Sequence, residues 1–510
     1  MINARAAMVA RLPPEILRMI FEAVCTAQNT AYGFPLWNGR GVISLTCFQW
    51  RQVVLSTPEL WRQLVVHLRF KYTGSRVEMW PVPDPSIVPI IPLVIQQASP
   101  YPLKFQLINQ GGTCAMLGYH WHRIMPHIIS AIQQSSMVCI GTFYRIRPGP
   151  FSGPVPWPKL RYLWLNWGHT DSEGVQEPNS SDEYDEPNSS DEYDELNPSD
   201  EYDEPDMPDV PDAPDAPNAP DVPDAPDAPD MPDMPTNLMN ECVDLSMATS
   251  LCLLSISVPF WLDEGSLRFR LPQISNIKQL VLRGNIDFSD VLAALTCSAS
   301  QLEWLDLNLS ISGGQWSPTT LYLHSLHHLT IGGRASSEIA CSIVAPQLHS
   351  LVINGGQDLT SMLLVDGERF PCLVDLHIRP IESATQNTSI SFIKAHPSLQ
   401  RVGLMSVLGA RQFLLEDNPE IHNPDLRALW IRCGVGMPAS EECAVLRQLA
   451  EHLQTASVSL AKPNCSLYLS HVVNWWRGGK PLLNEFKEYV HYVGSLENMV
   501  RDECCAELYL

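Results

Sequence analysis

The 510-residue chain is most informative at first for what it lacks. None of its 14 cysteines falls in a CxxC pair, and Cys504 and Cys505 are adjacent, a poor arrangement for an ordinary disulfide. The cysteines therefore read as buried thiols of a reducing compartment rather than as a zinc or disulfide framework. Long apolar runs are also missing. The greasiest stretch, Ile87 to Ile95, is broken by Pro89 and Pro92 and is too short to span a bilayer. No secretory signal is visible. The opening MINARAAMVAR carries Arg5 and Arg11 with no early acid, but Pro13 and Pro14 interrupt any presequence-like helix. These absences point to a soluble cytoplasmic and/or nuclear protein with no membrane partner.

Catalytic signatures are absent as well. There is no GxSxG elbow, P-loop, GxGxxG or HExxH. His120 and His122 flank Trp121, and His327 adjoins His328, yet neither pair has further Cys, His or carboxylate ligands at metal spacing. No catalytic residue, metal or cofactor is expected, and the chain reads as a non-enzyme.

Basic residues are missing from one long stretch. Between Asp171 and Pro235 lie 24 acidic residues and no Lys or Arg, which accounts for the net charge of −23. Outside it, 32 acidic residues face all 33 basic ones, so nothing suggests a nucleic-acid surface. The stretch contains EPNSSDEYD twice, at Glu177–Asp185 and Glu186–Asp194, and then a proline at every third position from Pro205 to Pro235. With almost no large apolar side chains it cannot offset its ordering entropy, and it is expected to be an extended, disordered loop over 170–237. Ser180, Ser181, Ser189 and Ser190 precede acids and could accept phosphate from an acid-directed kinase, or the tract could bind a basic partner. The plainer reading is tandem expansion tolerated on a surface loop.

What is present begins with LPPEILRMIFEAV. Pro13 and Pro14 suit a helix start and Glu15 suits its positive end. Ile16, Leu17, Ile20, Phe21 and Val24 recur at helical spacing as one apolar face. A second pattern, VISLTCFQWRQVVLSTPELW, predicts another helix, ended at Ser56-Thr57-Pro58, and a short third one carrying Leu60 and Trp61. Three short helices have little core of their own, so burial against a partner is expected.

The order LPPEIL, IF, a cysteine and WRQVVLSTPELW resembles the F-box, especially its form in large fungal F-box families, over residues 8–65. The match departs in the length of the loop from Cys25 to Gly41 and in Phe48, where a basic residue is commoner. That resemblance implies docking on the Skp-type adaptor of a cullin-based ubiquitin ligase. The docking residues it implies are Leu12, Pro13, Ile16, Leu17, Ile20, Phe21, Leu45, Cys47, Trp50, Val53, Leu60 and Trp61.

Downstream, LxxLxL recurs from Leu160 to Ile431, with successive starts from Leu251 onward 26, 25, 24, 22, 25, 26 and 27 residues apart. That is the period of a leucine-rich repeat, a strand plus an irregular return. The 91-residue gap between Leu160 and Leu251 closes to one period once the acidic tract is removed. The expected fold class is therefore α/β: an N-terminal three-helix F-box and then an irregular leucine-rich-repeat solenoid with a long disordered acidic insertion. Residues 66–158 form an irregular linker or degenerate first repeats, 159–470 the solenoid, and 471–510 a cap whose Leu482–Met499 segment looks helical. Leu103–Leu107 and Val138–Ile140 read as strands, and Leu467–Leu469 as a last strand.

Strand alternation sends two leucines of each repeat inward and the residues between them to an exposed concave face. That face would carry Tyr162, Trp164, Gln279, Arg283, Trp304, Asp306, His328, His377, Arg379, Arg401, Trp430 and Arg432. The aromatics and arginines among them are the residue types of binding hot spots. Together with the resemblance, this implies a substrate-recognition subunit of an SCF-type ubiquitin ligase. It would bind a Skp-type adaptor and through it a cullin, and hold an unidentified target protein. The alternative is a repeat scaffold without ubiquitin transfer.

Overall fold

The structure, a computed structural model, describes residues 12–30, 43, 46–71, 80–83, 87–110, 118–141, 156–166, 242–258, 267–273, 275–310, 320–354, 369–379, 396–404, 411, 426–432, 444–449, 451, 466–470 and 490–493. The acidic tract separates from the remainder as the unit Asp171–Asn237 and lies outside the described residues.

Among the described residues come helices α1 (Pro14–Thr30) and α2 (Phe48–Ser56), followed by a 3₁₀ turn over Pro58–Trp61. The backbone then runs directly into β1 (Gln63–Lys71). Strand β2 (Trp80–Pro83) pairs antiparallel with β1 at the edge of the main sheet. Its Pro81 and Pro83 carry no backbone N–H, which an edge strand tolerates. Helix α3 (Ile87–Ala98), β3 (Leu103–Gln110), α4 (Gly118–Gln133), β4 (Ser135–Gly141) and β5 (Tyr162–Asn166) follow. The strands expected at Leu103–Leu107 and Val138–Ile140 are thus β3 and β4, parallel neighbours in the sheet.

Beyond the acidic tract the main sheet continues in register as β7 (Leu253–Ser257), β9 (Gln279–Asn285), β10 (Trp304–Ser310), β12 (His328–Gly332), β14 (Ser350–Asn354) and β15 (Asp375–Arg379). It ends with β16 (Arg401–Leu404), β17 (Ala428–Arg432), β18 (Ser466–Ser470) and β19 (Val490–Val493). Two small parallel pairs, β6 (Cys242–Asp244) with β8 (Arg268–Arg270) and β11 (Leu321–Tyr322) with β13 (Ile343–Val344), lie in the return segments. Helix α5 (Phe288–Ser298) occupies the return between β9 and β10, and α6 (Arg334–Ser342) leads into β13 in the return between β12 and β14. Among the described residues the main sheet has 15 strands, parallel apart from β2. This is an α/β stack of parallel strands, compatible with a repeat solenoid.

The LxxLxL element has a physical cause in the rungs whose side chains are described. The last two apolar residues of each element, from Leu163 and Leu165 to Leu376 and Ile378, are no more than 2% exposed. Burying such a side chain contributes about 1.5–3 kcal/mol before ordering entropy is subtracted. The first leucine precedes the strand and closes a tight turn: the N–H groups of Leu160, Leu251, Leu326, Leu348, Leu373 and Leu399 donate to the carbonyls three residues upstream. Those upstream residues, Trp157, Ala248, Leu323, Ala345, Phe370 and His396, are all buried, a fourth inward position in these six repeats. The core runs unbroken from Leu17 in α1 through the sheet to Leu449.

One segment gains an assignment and one expectation changes. Ile87–Ile95, broken by prolines in the sequence, lies within a helix. Pro89 sits in its first turn, where a missing N–H costs nothing, and burial of Ile91, Val94 and Ala98 offsets the bond lost at Pro92. Within the stretch read as a C-terminal helix, Val490–Val493 instead forms β19, a further rung beside β18. Its β-branched and aromatic residues, Val490, Tyr492 and Val493, favour a strand.

Gly403 in β16 shows how closely neighbouring rungs approach. A Cβ there would overlap the imidazole of His377, which lies across it from β15. Gly403→Ala is expected to destabilise the protein by about 1–3 kcal/mol, the usual cost of overpacking, read as a lower denaturant midpoint.

Candidate interaction surfaces

Helix α1 has two apolar sides rather than one. Leu17 and Phe21 are buried, and Phe21 meets Trp50 of α2 edge to face with ring centroids 5.1 Å apart. At 100° per residue, their neighbours turn outward: Ile16 is 42% exposed, Met19 64%, Ile20 41% and Val24 37%. These four sit at i, i+3, i+4 and i+8, a continuous outward stripe. On α2, Phe48 is 73% and Leu55 39% exposed.

The other side is well tied down. The Trp61 indole N–H donates to the Val54 carbonyl at 2.8 Å, and the Thr57 hydroxyl donates to the Val53 carbonyl at 2.7 Å. Arg18 reaches Glu22 at 2.9 Å and Glu59 at 3.0 Å, linking α1 to the 3₁₀ turn.

Of the docking set implied by the resemblance, the structure leaves Pro13, Ile16 and Ile20 exposed and Leu12, Cys47 and Trp50 half-buried. Leu17, Phe21, Val53, Leu60 and Trp61 are buried inside the chain, so their role here is to hold the helices together. Leu45 lies outside the described residues. Met19, Val24, Phe48 and Leu55 are exposed apolar residues outside that set; the signal for the first two was the helical spacing from Ile16 and Ile20.

The second surface is the face of the sheet opposite the leucines. Tyr162 is exposed and stacks on the half-buried Trp164, with centroids 6.1 Å apart. Trp304 and His328, half-buried on adjacent rungs, lie 4.5 Å apart. Gln279 is half-buried and Arg283 exposed. Arginine–aspartate pairs cross rungs here: Arg283 donates to Asp306 at 2.6 Å, and Arg401 donates through Nε and a terminal nitrogen to both oxygens of Asp375 at 2.5 and 2.6 Å. In each, the carboxylate is covered and the guanidinium stays about half exposed.

His377 and Trp430, expected to project outward, are buried. With only Gly403 between them, their rings close to 6.4 Å and cover each other. Asp306 is likewise buried beneath Arg283. Arg379 and Arg432 occupy the expected register positions, and their side chains lie outside the described residues.

Burial pushes the His328 pKa below its ordinary 6.5, opposed in part by the Asp375 carboxylate. The unfolded chain therefore binds a proton more readily than the folded one between the two pKa values. Stability should fall as pH drops from about 7 through the folded pKa, and level off below it. His328→Gln should flatten that dependence, checked by urea midpoints of both proteins at pH 7.5 and pH 5.

Burial also raises the Cys139, Cys242 and Cys341 thiols above their ordinary 9.0, which keeps them protonated and weak as nucleophiles. Among the described residues no group of three or more His, Cys, Asp or Glu is placed to hold a metal ion, and no helix is long and apolar enough to cross a membrane. The side chains of His120 and His122 lie outside the described residues. No protein-family model matches the chain, and no curated protein matches it.

Proposed function

We propose that the protein is the substrate-recognition subunit of an SCF-type cullin ubiquitin ligase. Its N-terminal helices act as an F-box that docks a Skp-type adaptor, and the face of its strand stack holds a target protein. The observation that carries this reading is the outward stripe of Ile16, Met19, Ile20 and Val24, backed by a rigid buried side, in the segment whose sequence resembles an F-box. Exposed apolar stripes of this kind mark protein interfaces.

Covering what remains exposed on four such side chains contributes a few kcal/mol, on the order of the lowest association cost of 4 kcal/mol. The stripe alone is therefore too small, and Phe48 and Leu55 on α2 are the next apolar contributors. The chain itself supplies no acid, base or nucleophile in this scheme. Rate enhancement comes from holding a target lysine near a ubiquitin-charged enzyme elsewhere in the assembly.

The test is capture of the full chain by a purified Skp-type adaptor. Stoichiometric capture is expected, and its absence overturns the proposal. Capture without any cullin-dependent turnover of bound proteins would instead favour the scaffold alternative.

A further inference from the structure

We propose that His327, His349 and the main-chain carbonyl of Gln347 form a binding site for a late first-row divalent cation, of the nickel, copper or zinc kind, at the entrance edge of the strands. The site goes beyond the ligase reading and does not depend on it. In sequence His327 adjoins His328, but the fold separates their roles. His328 lies on the open face against Trp304, whereas His327 immediately precedes β12. The partner of His327 is His349, which immediately precedes β14 and so holds the same place in the next rung. The His349 N–H donates to the His327 carbonyl at 3.0 Å, which sets the two residues side by side.

Both rings turn to one point. Nδ1 of His327 lies 3.2 Å from the Gln347 carbonyl oxygen and Nδ1 of His349 2.6 Å from it, with ring centroids 5.4 Å apart. A carbonyl oxygen only accepts, so each Nδ1 carries a ring proton when no ion is bound. Donors about 2.1 Å from an ion and at right angles to each other stand about 3.0 Å apart. Two nitrogens and one oxygen at the observed separations therefore match neighbouring positions around one ion, with water in the rest. Loading moves each ring proton from Nδ1 to Nε2. A neutral imidazole keeps its one proton in this exchange, and Nδ1 becomes a ligand with no change of ring charge.

The donors are held in place. Gln347 lies in the turn that the Leu348 N–H closes on the Ala345 carbonyl at 3.1 Å, and His327 follows the turn that the Leu326 N–H closes on Leu323 at 3.2 Å. All four of those turn residues are buried, while His349 is exposed and His327 half-buried, which leaves a way in for the ion. Imidazole donors select against Mg²⁺ and Ca²⁺, which take oxygen ligands. Among the described residues no third imidazole, thiol or carboxylate joins the pair. Glu303, on the preceding rung, is bound to Lys278 at 2.7 Å and is not counted as a ligand. A bound ion would tie β12, β14 and the turn between them together.

The full chain is titrated with Ni²⁺ by isothermal calorimetry, with Mg²⁺ as the comparison. Ni²⁺ should bind and Mg²⁺ should not. His327→Asn and His349→Asn should each weaken one Ni²⁺ site at least about tenfold, with unchanged circular dichroism. The double variant should lose little more than either single one, because removing one ring already breaks the chelate. His324→Asn, which alters an exposed histidine outside the site, should change nothing. Saturating Ni²⁺ should raise the urea midpoint of the wild-type chain and of neither ring variant, since the ion holds the folded arrangement. Absence of Ni²⁺ binding, equal binding of Mg²⁺, or Ni²⁺ binding that only one or neither of the two ring substitutions weakens would overturn the site.

Discussion

Gly284→Ala should destabilise the protein by about 4 kcal/mol, at the upper end of what single substitutions cost. Gly284 has φ +92°, a left-handed conformation that costs an L-residue about 1–2 kcal/mol. A Cβ there would also drive into the carbonyl of Val258, which belongs to backbone and cannot rotate aside. The Val258 N–H is bonded to the Arg283 carbonyl at 2.8 Å, so relief would break the junction between two rungs. Gly333→Ala should behave alike, since φ is +74° and the Leu309 carbonyl blocks the added carbon. Gly141→Ala is the control: only the Leu107 carbonyl lies near, at an ordinary 3.9 Å, and stability should change by less than about 0.5 kcal/mol. Urea denaturation of the three variants checks the order. A Gly284 variant as stable as the Gly141 one would contradict the tight crossing.

The rung pattern was legible because a strand has a side-chain period of two and the LxxLxL spacing survives irregular returns. The fourth inward position was not. Its residue ranges from Trp157 through Ala248 to His396, and only the turn bond to the following leucine unites them. The burial of His377 and Trp430 depends on Gly403, which chain separation hides and strand register reveals. In α1, apolar spacing located the helix, but Ile16 and Leu17 look alike in sequence. Which of them faces the core is decided by where α2 and the 3₁₀ turn pack, with Trp50 against Phe21. Helix α3 was hidden by its prolines, whose local cost is outweighed by burial that only the folded chain displays.

That division of α1 gives the second large expected effect. Ile16→Asp with Ile20→Asp should lower adaptor affinity by at least about 100-fold, because two charges would be forced into a desolvated apolar contact. The same pair should leave the urea midpoint nearly unchanged, since both side chains are about 40% exposed in the free protein. Phe21→Ala and Leu17→Ala should do the reverse. Each removes a fully buried side chain and should cost about 2–5 kcal/mol of stability, with adaptor capture falling only in proportion to unfolding. A docking surface predicts this double dissociation, whereas a helix packed solely for its own fold predicts that stability and capture move together. Capture assays run beside urea titrations distinguish the two, and undiminished capture of the Ile16–Ile20 variant would remove the stripe from the interface.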